Sequence, residues 1–283
     1  MKVPQLQLSR RTLAVAAALM GTVSLAIGAH AALNLRSLDT AKAVATDLGT
    51  AATHKVSRVA LIIGNGHYPD ADAPLTQSIN DARALSAALR HDGFDVDVIE
   101  DASKDDINRA LVRLRNKIRS DSVVMLFFGG YGIQVGRQSY MIPVDAKIWK
   151  ERDVKRDGVA VESVLDVMKS QGARAKLVVL DASRRNPYER RFREYSHGLA
   201  PVTAPDNALI LSSATPGKVV DDAAGEHSVL VGELLTQLDK GEGAEAIFNK
   251  TRIAITRTSD GAQVPSVSSS LLEDVRFADA SGG

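Results

Sequence analysis

The stretch VVMLFFGGYGIQVG, residues 123–136, opens as an unbroken apolar run from Val123 to Phe128 and closes as a glycine-rich turn around Tyr131. A run of this length without polar alternation reads as a strand buried on both faces, which belongs in a parallel sheet covered by helices on each side. Gly129, Gly130 and Gly132 let the chain turn sharply at the strand's end while displaying one aromatic hydroxyl. The carboxyl end of a central strand is where open α/β folds meet their ligands, so Tyr131 is a candidate functional residue.

The flanking sequence repeats the pattern. VALIIGN (59–65) reads as a first buried strand. NDARALSAALRHDG (80–93) reads as a helix with Asn80 or Asp81 near its cap and Gly93 at its end. FDVDVIE (94–100) is a strand, and KDDINRALVRLRNKI (104–118) a helix with Ile107, Leu111, Leu114 and Ile118 on one face. VESVLDVMKS (161–170) and SVLVGELLTQL (228–238) are further helices, AKLVVLDAS (175–183) and NALILSSA (207–214) further strands. Right-handed crossovers make such strands parallel, which gathers GNGHYP, GGYG, DASRRNP and TPGKVVDD along one edge. There Ser183, following Asp181, faces Tyr131 in the layout of a nucleophile and a base on adjacent strand ends.

Composition removes several classes of function. The chain has 283 residues, 45% hydrophobic, ordinary for a folded globular protein. With 35 basic against 34 acidic residues it carries no net field to draw nucleic acid or an anionic membrane. No cysteine is present, which excludes disulfides, thiolate metal sites and thiol nucleophiles together. The histidines show no zinc spacing. EDASKDD (100–106) lacks the glycine and terminal glutamate of a calcium loop, and GNG (64–66) is too short for a dinucleotide fingerprint. RRNPYERRFREYSHG (184–198) interleaves arginines with aromatics, but in a chain of balanced charge it reads as a solvated loop.

Lys2, Arg10 and Arg11 precede the apolar segment Thr12 to Gly28, and Ala29-His30-Ala31 has the form of a cleavage site. Residues 1–31 therefore read as an export signal, similar at Ser9 to Leu13 to a twin-arginine signal. The alternative is an uncleaved anchor helix from Thr12 to Leu33. Either places the remainder outside the cytoplasm, periplasmic or extracellular. Residues 32–55 read as a linker, 56–278 as the folded domain and 279–283 as a flexible tail.

Together these segments resemble the bacterial branch of the caspase-like cysteine peptidases, the metacaspases and orthocaspases. RVALIIGNGHYPDADAPLTQSINDARALSAALRHDGFDV resembles the family's opening strand and helix, and GAQVPSVSSSL (261–271) its late strand. FFGGYGIQVGRQSYMIPVDA resembles the segment that carries the family's catalytic histidine, and KLVVLDASRRNPY the one that carries its cysteine. The resemblance implies a caspase-like three-layer α/β/α sandwich with a mainly parallel central sheet. It also implies that Tyr131 stands at the histidine position and Ser183 at the cysteine position.

That exchange fails chemically at both ends. A serine hydroxyl needs a base more than a thiol does, and tyrosine, titrating near 10, is only about one part in a thousand phenolate at pH 7. His67 is the alternative base for Ser183. The plain readings are a packed aromatic for Tyr131 and a turn residue for Ser183. In relatives that cleave after arginine or lysine, carboxylates matching Asp81, Asp181 and Asp222 (or Asp221) form the specificity pocket. Apart from the resemblance, Asp81 reads as a helix cap and Asp181 as the partner of a nearby arginine. The expectation is an inactive pseudopeptidase that binds an Arg/Lys-containing peptide segment or a protein partner such as an active relative. The alternatives are a weak hydrolase using Ser183 and a purely structural interaction module. No cofactor is expected; calcium enters by resemblance to many metacaspases alone.

Overall fold

The computed structural model describes residues 56–69, 74–192, 198–220 and 225–278. The expected export signal or anchor, the linker, Asp221, Asp222 and the tail 279–283 lie outside the described residues.

Strands β1 (Arg58–Gly64), β2 (Asp95–Glu100), β3 (Val123–Gly129), β7 (Ala175–Asp181), β8 (Ala208–Ser212) and β9 (Ser266–Ser269) form one sheet in the order β2-β1-β3-β7-β8-β9. All neighbours are parallel except β8 and β9. A smaller antiparallel sheet joins β4 (Gly132–Val135), β5 (Gln138–Met141) and β6 (Val159–Ala160). The helices are α1 (Thr76–His91), α2 (Lys104–Lys117), α3 (Glu151–Asp157), α4 (Val161–Ser170), α5 (Val229–Leu238) and α6 (Ala244–Thr258).

The apolar runs of β1, β3 and β7 are buried at every position because both sheet faces are covered. Alternate side chains sort into two cores. Leu61, Ile63, Val124, Leu126 and Val178 pack with α2 and α4, while Ala60, Ile62, Met125, Phe127 and Leu177 pack with α1, α5 and α6. This is the expected α/β/α sandwich. A third cluster, including Tyr68, Tyr131, Tyr140, Ile142 and Tyr188, sits with the small sheet.

Two expectations need correction. The first helix begins at Thr76, not at Asn80, so Asp81 lies inside α1 and caps nothing there. The loop after β7 is not solvated throughout, because Arg184, Asn186 and Tyr188 are buried. Arg191 from the same loop lies over Trp149 at 4.6 Å and Tyr188 at 5.4 Å, a cation–π stack that occupies the aromatics internally.

Candidate functional site

The parallel register sets Gly129 beside Asp181 at the ends of β3 and β7. Beyond that pair the two chains stay bonded: Gly130 N–H donates to Asp181 O at 3.2 Å and Gly132 N–H to Ala182 O at 3.0 Å. Tyr131 and Ser183 are thereby held on adjacent strand exits.

Tyr131 is buried in edge-to-face contact with Tyr68, the ring centroids 4.8 Å apart. Its N–H donates to Tyr68 Oη at 3.0 Å, and that hydroxyl donates to Ile142 O at 2.9 Å. Burial raises the Tyr68 pKa well above the ordinary phenol value, so it acts as a neutral brace. Ser183 is also buried; its N–H makes a long contact of 3.4 Å with Ser213 Oγ, and its carbonyl accepts from Val220 N–H at 2.7 Å. No hydrogen bond joins Ser183 Oγ to Tyr131 or His67 among the described residues. The His67 ring is instead bonded to Asp101 Oδ2 at 2.6 Å, with the side chain 71% exposed.

The carboxylates behave differently. Asp81, fully buried on α1, accepts from Ser228 N–H at 3.2 and 3.3 Å and meets His227 Nδ1 at 3.0 Å. Ser228 is the N-cap of α5, so Asp81 supports that helix's start from across the fold. Burial pushes its pKa up to about 6, and the nearby charge of Asp181 pushes in the same direction against the hydrogen bonds from Ser228 and His227. Asp181 is buried and paired through Oδ1 with Arg184 Nη1 at 3.2 Å, the structural pairing that its place on a central strand demands. Its Oδ2 is buried and accepts no hydrogen bond among the described residues.

Asp222 lies outside the described residues, and only the residues on either side of its segment are described. Before it, Val220 bonds to Ser183; after it, Gly225 O accepts from Gln77 Nε2 at 3.1 Å and Glu226 O from Asn80 Nδ2 at 3.2 Å.

The caspase-domain family model matches residues 57–276. The chain belongs to the caspase family. No curated protein matches it at a significant level. Because this caspase-family chain contains no cysteine, it lacks the family's thiolate nucleophile and, with it, the chemistry of a cysteine peptidase.

Among the described residues no group of three or more histidine, cysteine, aspartate or glutamate side chains is placed to hold a metal ion. The acids of EDASKDD have other work. Glu100 pairs with Arg83, Asp101 accepts from Gly66 and His67, and Asp106 closes a capping box with Ser103 at the start of α2.

Three residues outside the expected set organise this edge. Tyr68 braces Tyr131, and His227 covers Asp81. Asn65 donates through Nδ2 to Ile142 O at 3.2 Å and accepts at Oδ1 from Ala102 N–H at 2.9 Å. Tyr68 and Asn65 lie in GNGHYP, whose place after a buried strand was the available signal.

Proposed function

We propose that the chain is a pseudopeptidase of the metacaspase/orthocaspase type, in which Tyr131 and Ser183 replace the catalytic histidine and cysteine. The site serves recognition: Asp81, Asp181 and Asp222 receive an arginine or lysine side chain from a peptide segment or protein partner. The observation that carries this reading is the buried Asp181 Oδ2, which accepts no hydrogen bond among the described residues, together with the buried carboxyl of Asp81, whose pKa the charge of Asp181 helps to raise. A guanidinium or ammonium placed between them relieves the repulsion and supplies charge-assisted hydrogen bonds. Entry requires His227 to swing off Asp81, and its side chain is partly exposed. The basic and then apolar N-terminal segment supports export as the setting for this role. A serine hydrolase is the weaker reading, since Ser183 Oγ has no hydrogen-bonded base among the described residues.

The test is titration of fluorescent arginine- and lysine-containing peptides into the full chain and into Asp181→Asn. Saturable binding that falls about tenfold or more in the variant is expected, the loss of one charge-assisted contact. Absence of binding to every basic peptide removes the pocket from the proposal.

A further inference from the structure

The two edges of the main sheet are built differently. At the β2 edge, Asp95, Asp97 and Glu100 are ion-paired with Lys117, Arg113 and Arg83 at 2.8, 2.7 and 2.6 Å. Charged side chains on an edge strand discourage pairing with another chain. At the other edge, β9 reads SVSS and carries no charge. Ser270 N–H donates inward to Ala208 O at 2.8 Å. The antiparallel alternation therefore turns the N–H and C=O groups of Val267 and Ser269 outward, where no strand lies among the described residues.

Beside this edge is a groove of about 310 Å³ lined by Arg252, Ile253, Thr256 and Arg257 of α6 together with Val264. Ile253 and Val264 are exposed apolar side chains at 43% and 37%. No carboxylate lines the groove, and neither arginine is in an ion pair among the described residues. Val267 points to the α6 side, where it packs against the core that holds Phe248 and Ile255. Ser266 and Ser268 line a small pocket on the opposite side with Leu199.

We propose that β9 is a docking edge for an extended acidic peptide segment, which adds a strand to the sheet and sets its side chains into this groove. Strand addition derives affinity from main-chain hydrogen bonds and selectivity from pockets for alternate side chains. A residue opposite Val267 lies on the α6 face, so an apolar side chain there covers Ile253 and Val264. Its same-face neighbours, two residues away, reach Arg252 and Arg257, which select aspartate or glutamate. This site is independent of the basic-peptide pocket, and its ligand has the opposite charge.

The test uses the full chain and a fluorescein-labelled peptide of sequence Asp-Thr-Val-Thr-Glu, whose Asp, Val and Glu share one face, with Asn-Thr-Val-Thr-Gln as the neutral control. Binding of the acidic peptide about tenfold tighter than the control is expected, with the advantage lost in the double variant Arg252→Glu, Arg257→Glu. Ser269→Pro removes an outward N–H while sparing the bonds to β8, and weakens the acidic peptide further. Equal affinity for the two peptides, no binding of the acidic one, or unchanged binding in the arginine double variant overturns the proposal. So does a concentration-dependent dimer that Ser269→Pro abolishes in a chain that binds no peptide, since the edge then serves a second copy.

Discussion

Asp81 sets a pH dependence that its own environment defines. Its pKa is raised to about 6 by burial and by Asp181, while its ordinary value is near 3.8. A carboxyl raised in the folded state is bound to its proton more tightly there than in the unfolded chain. Its ionisation therefore costs stability as pH rises between about 4 and 6. A bound cation reverses that balance by favouring the carboxylate. Affinity for an arginine peptide should thus rise with pH through about 6 and be about tenfold weaker at pH 5 than at pH 7.5. The groups facing Asp81 are Asp181 and the His227 ring, and Arg184 faces Asp181 in turn. His227→Gln keeps a hydrogen-bond donor beside Asp81 and should keep the midpoint, whereas Asp81→Asn should flatten the profile. A midpoint that disappears with His227→Gln would assign the titration to histidine instead. Asp181 was legible as a buried, paired carboxylate because LDAS closes an apolar strand, whereas Asp81 was singled out through the family resemblance and its own residues suggested only a helix cap. His227 was not, since its bond to Asp81 spans 146 residues and leaves no local pattern.

Buried strands and amphipathic helices were legible to within a few residues, because a continuous apolar run and a 3.6-residue stripe each report burial directly. Helix α1 was read short at its start. Thr76 to Ile79 carry no side-chain cap, and the turn is held by packing against β1 instead. There a Cβ at Gly64 would sit 2.6 Å from Ser78 O. The hairpin of β4 and β5 lay outside the expected elements. Each strand is four residues long, and the turn depends on Gly136 at φ 64° more than on any hydrophobic pattern. Helix α6 was also unassigned, although Ala244, Ile247, Phe248, Thr251 and Ile255 recur at helical spacing and are buried. The start of β4 matters for the site because Gly132 lies hard against the end of β7. A Cβ there would stand 2.5 Å from Leu199 Cδ2 and 2.7 Å from Ala182 O. The backbone oxygen cannot yield without moving the Tyr131 and Ser183 exits apart, so Gly132→Ala should destabilise by about 1–3 kcal/mol in urea unfolding. Gly232 on α5 has nothing within 4 Å of an added Cβ, and Gly232→Ala should stabilise by roughly 0.5–1 kcal/mol through helix propensity alone. Equal shifts in both variants would mean that the contact at Gly132 relaxes freely.

On the scale of the molecule, the question is whether the small sheet and its aromatic cluster unfold together with the main sandwich. The two are joined by Gly132 N–H to Ala182 O, by the buried amide of Asn65, and by Met141 of β5 and Val159 of β6, which pack in the core shared with α2 and α4. Asn65 ties the ends of β1, β2, β3 and β5 into one unit, since its own N–H also donates to Gly129 O at 2.8 Å. Trp149, the single tryptophan, lies beside the aromatic cluster through its stack on Arg191 and so reports on that region alone. Far-UV circular dichroism reports mainly on the sandwich helices. In the wild-type chain the two signals should share one urea midpoint, as expected for one cooperative domain. Asn65→Ala leaves Ala102 N–H without its partner in a dry interior and removes one of two donors from Ile142 O, which keeps the Tyr68 hydroxyl, at a cost of about 1–3 kcal/mol. Because that loss falls on the junction, the tryptophan transition should move to lower urea than the circular dichroism transition. Coincident transitions in Asn65→Ala would show that packing alone couples the two parts, with the amide contributing stability but no cooperativity.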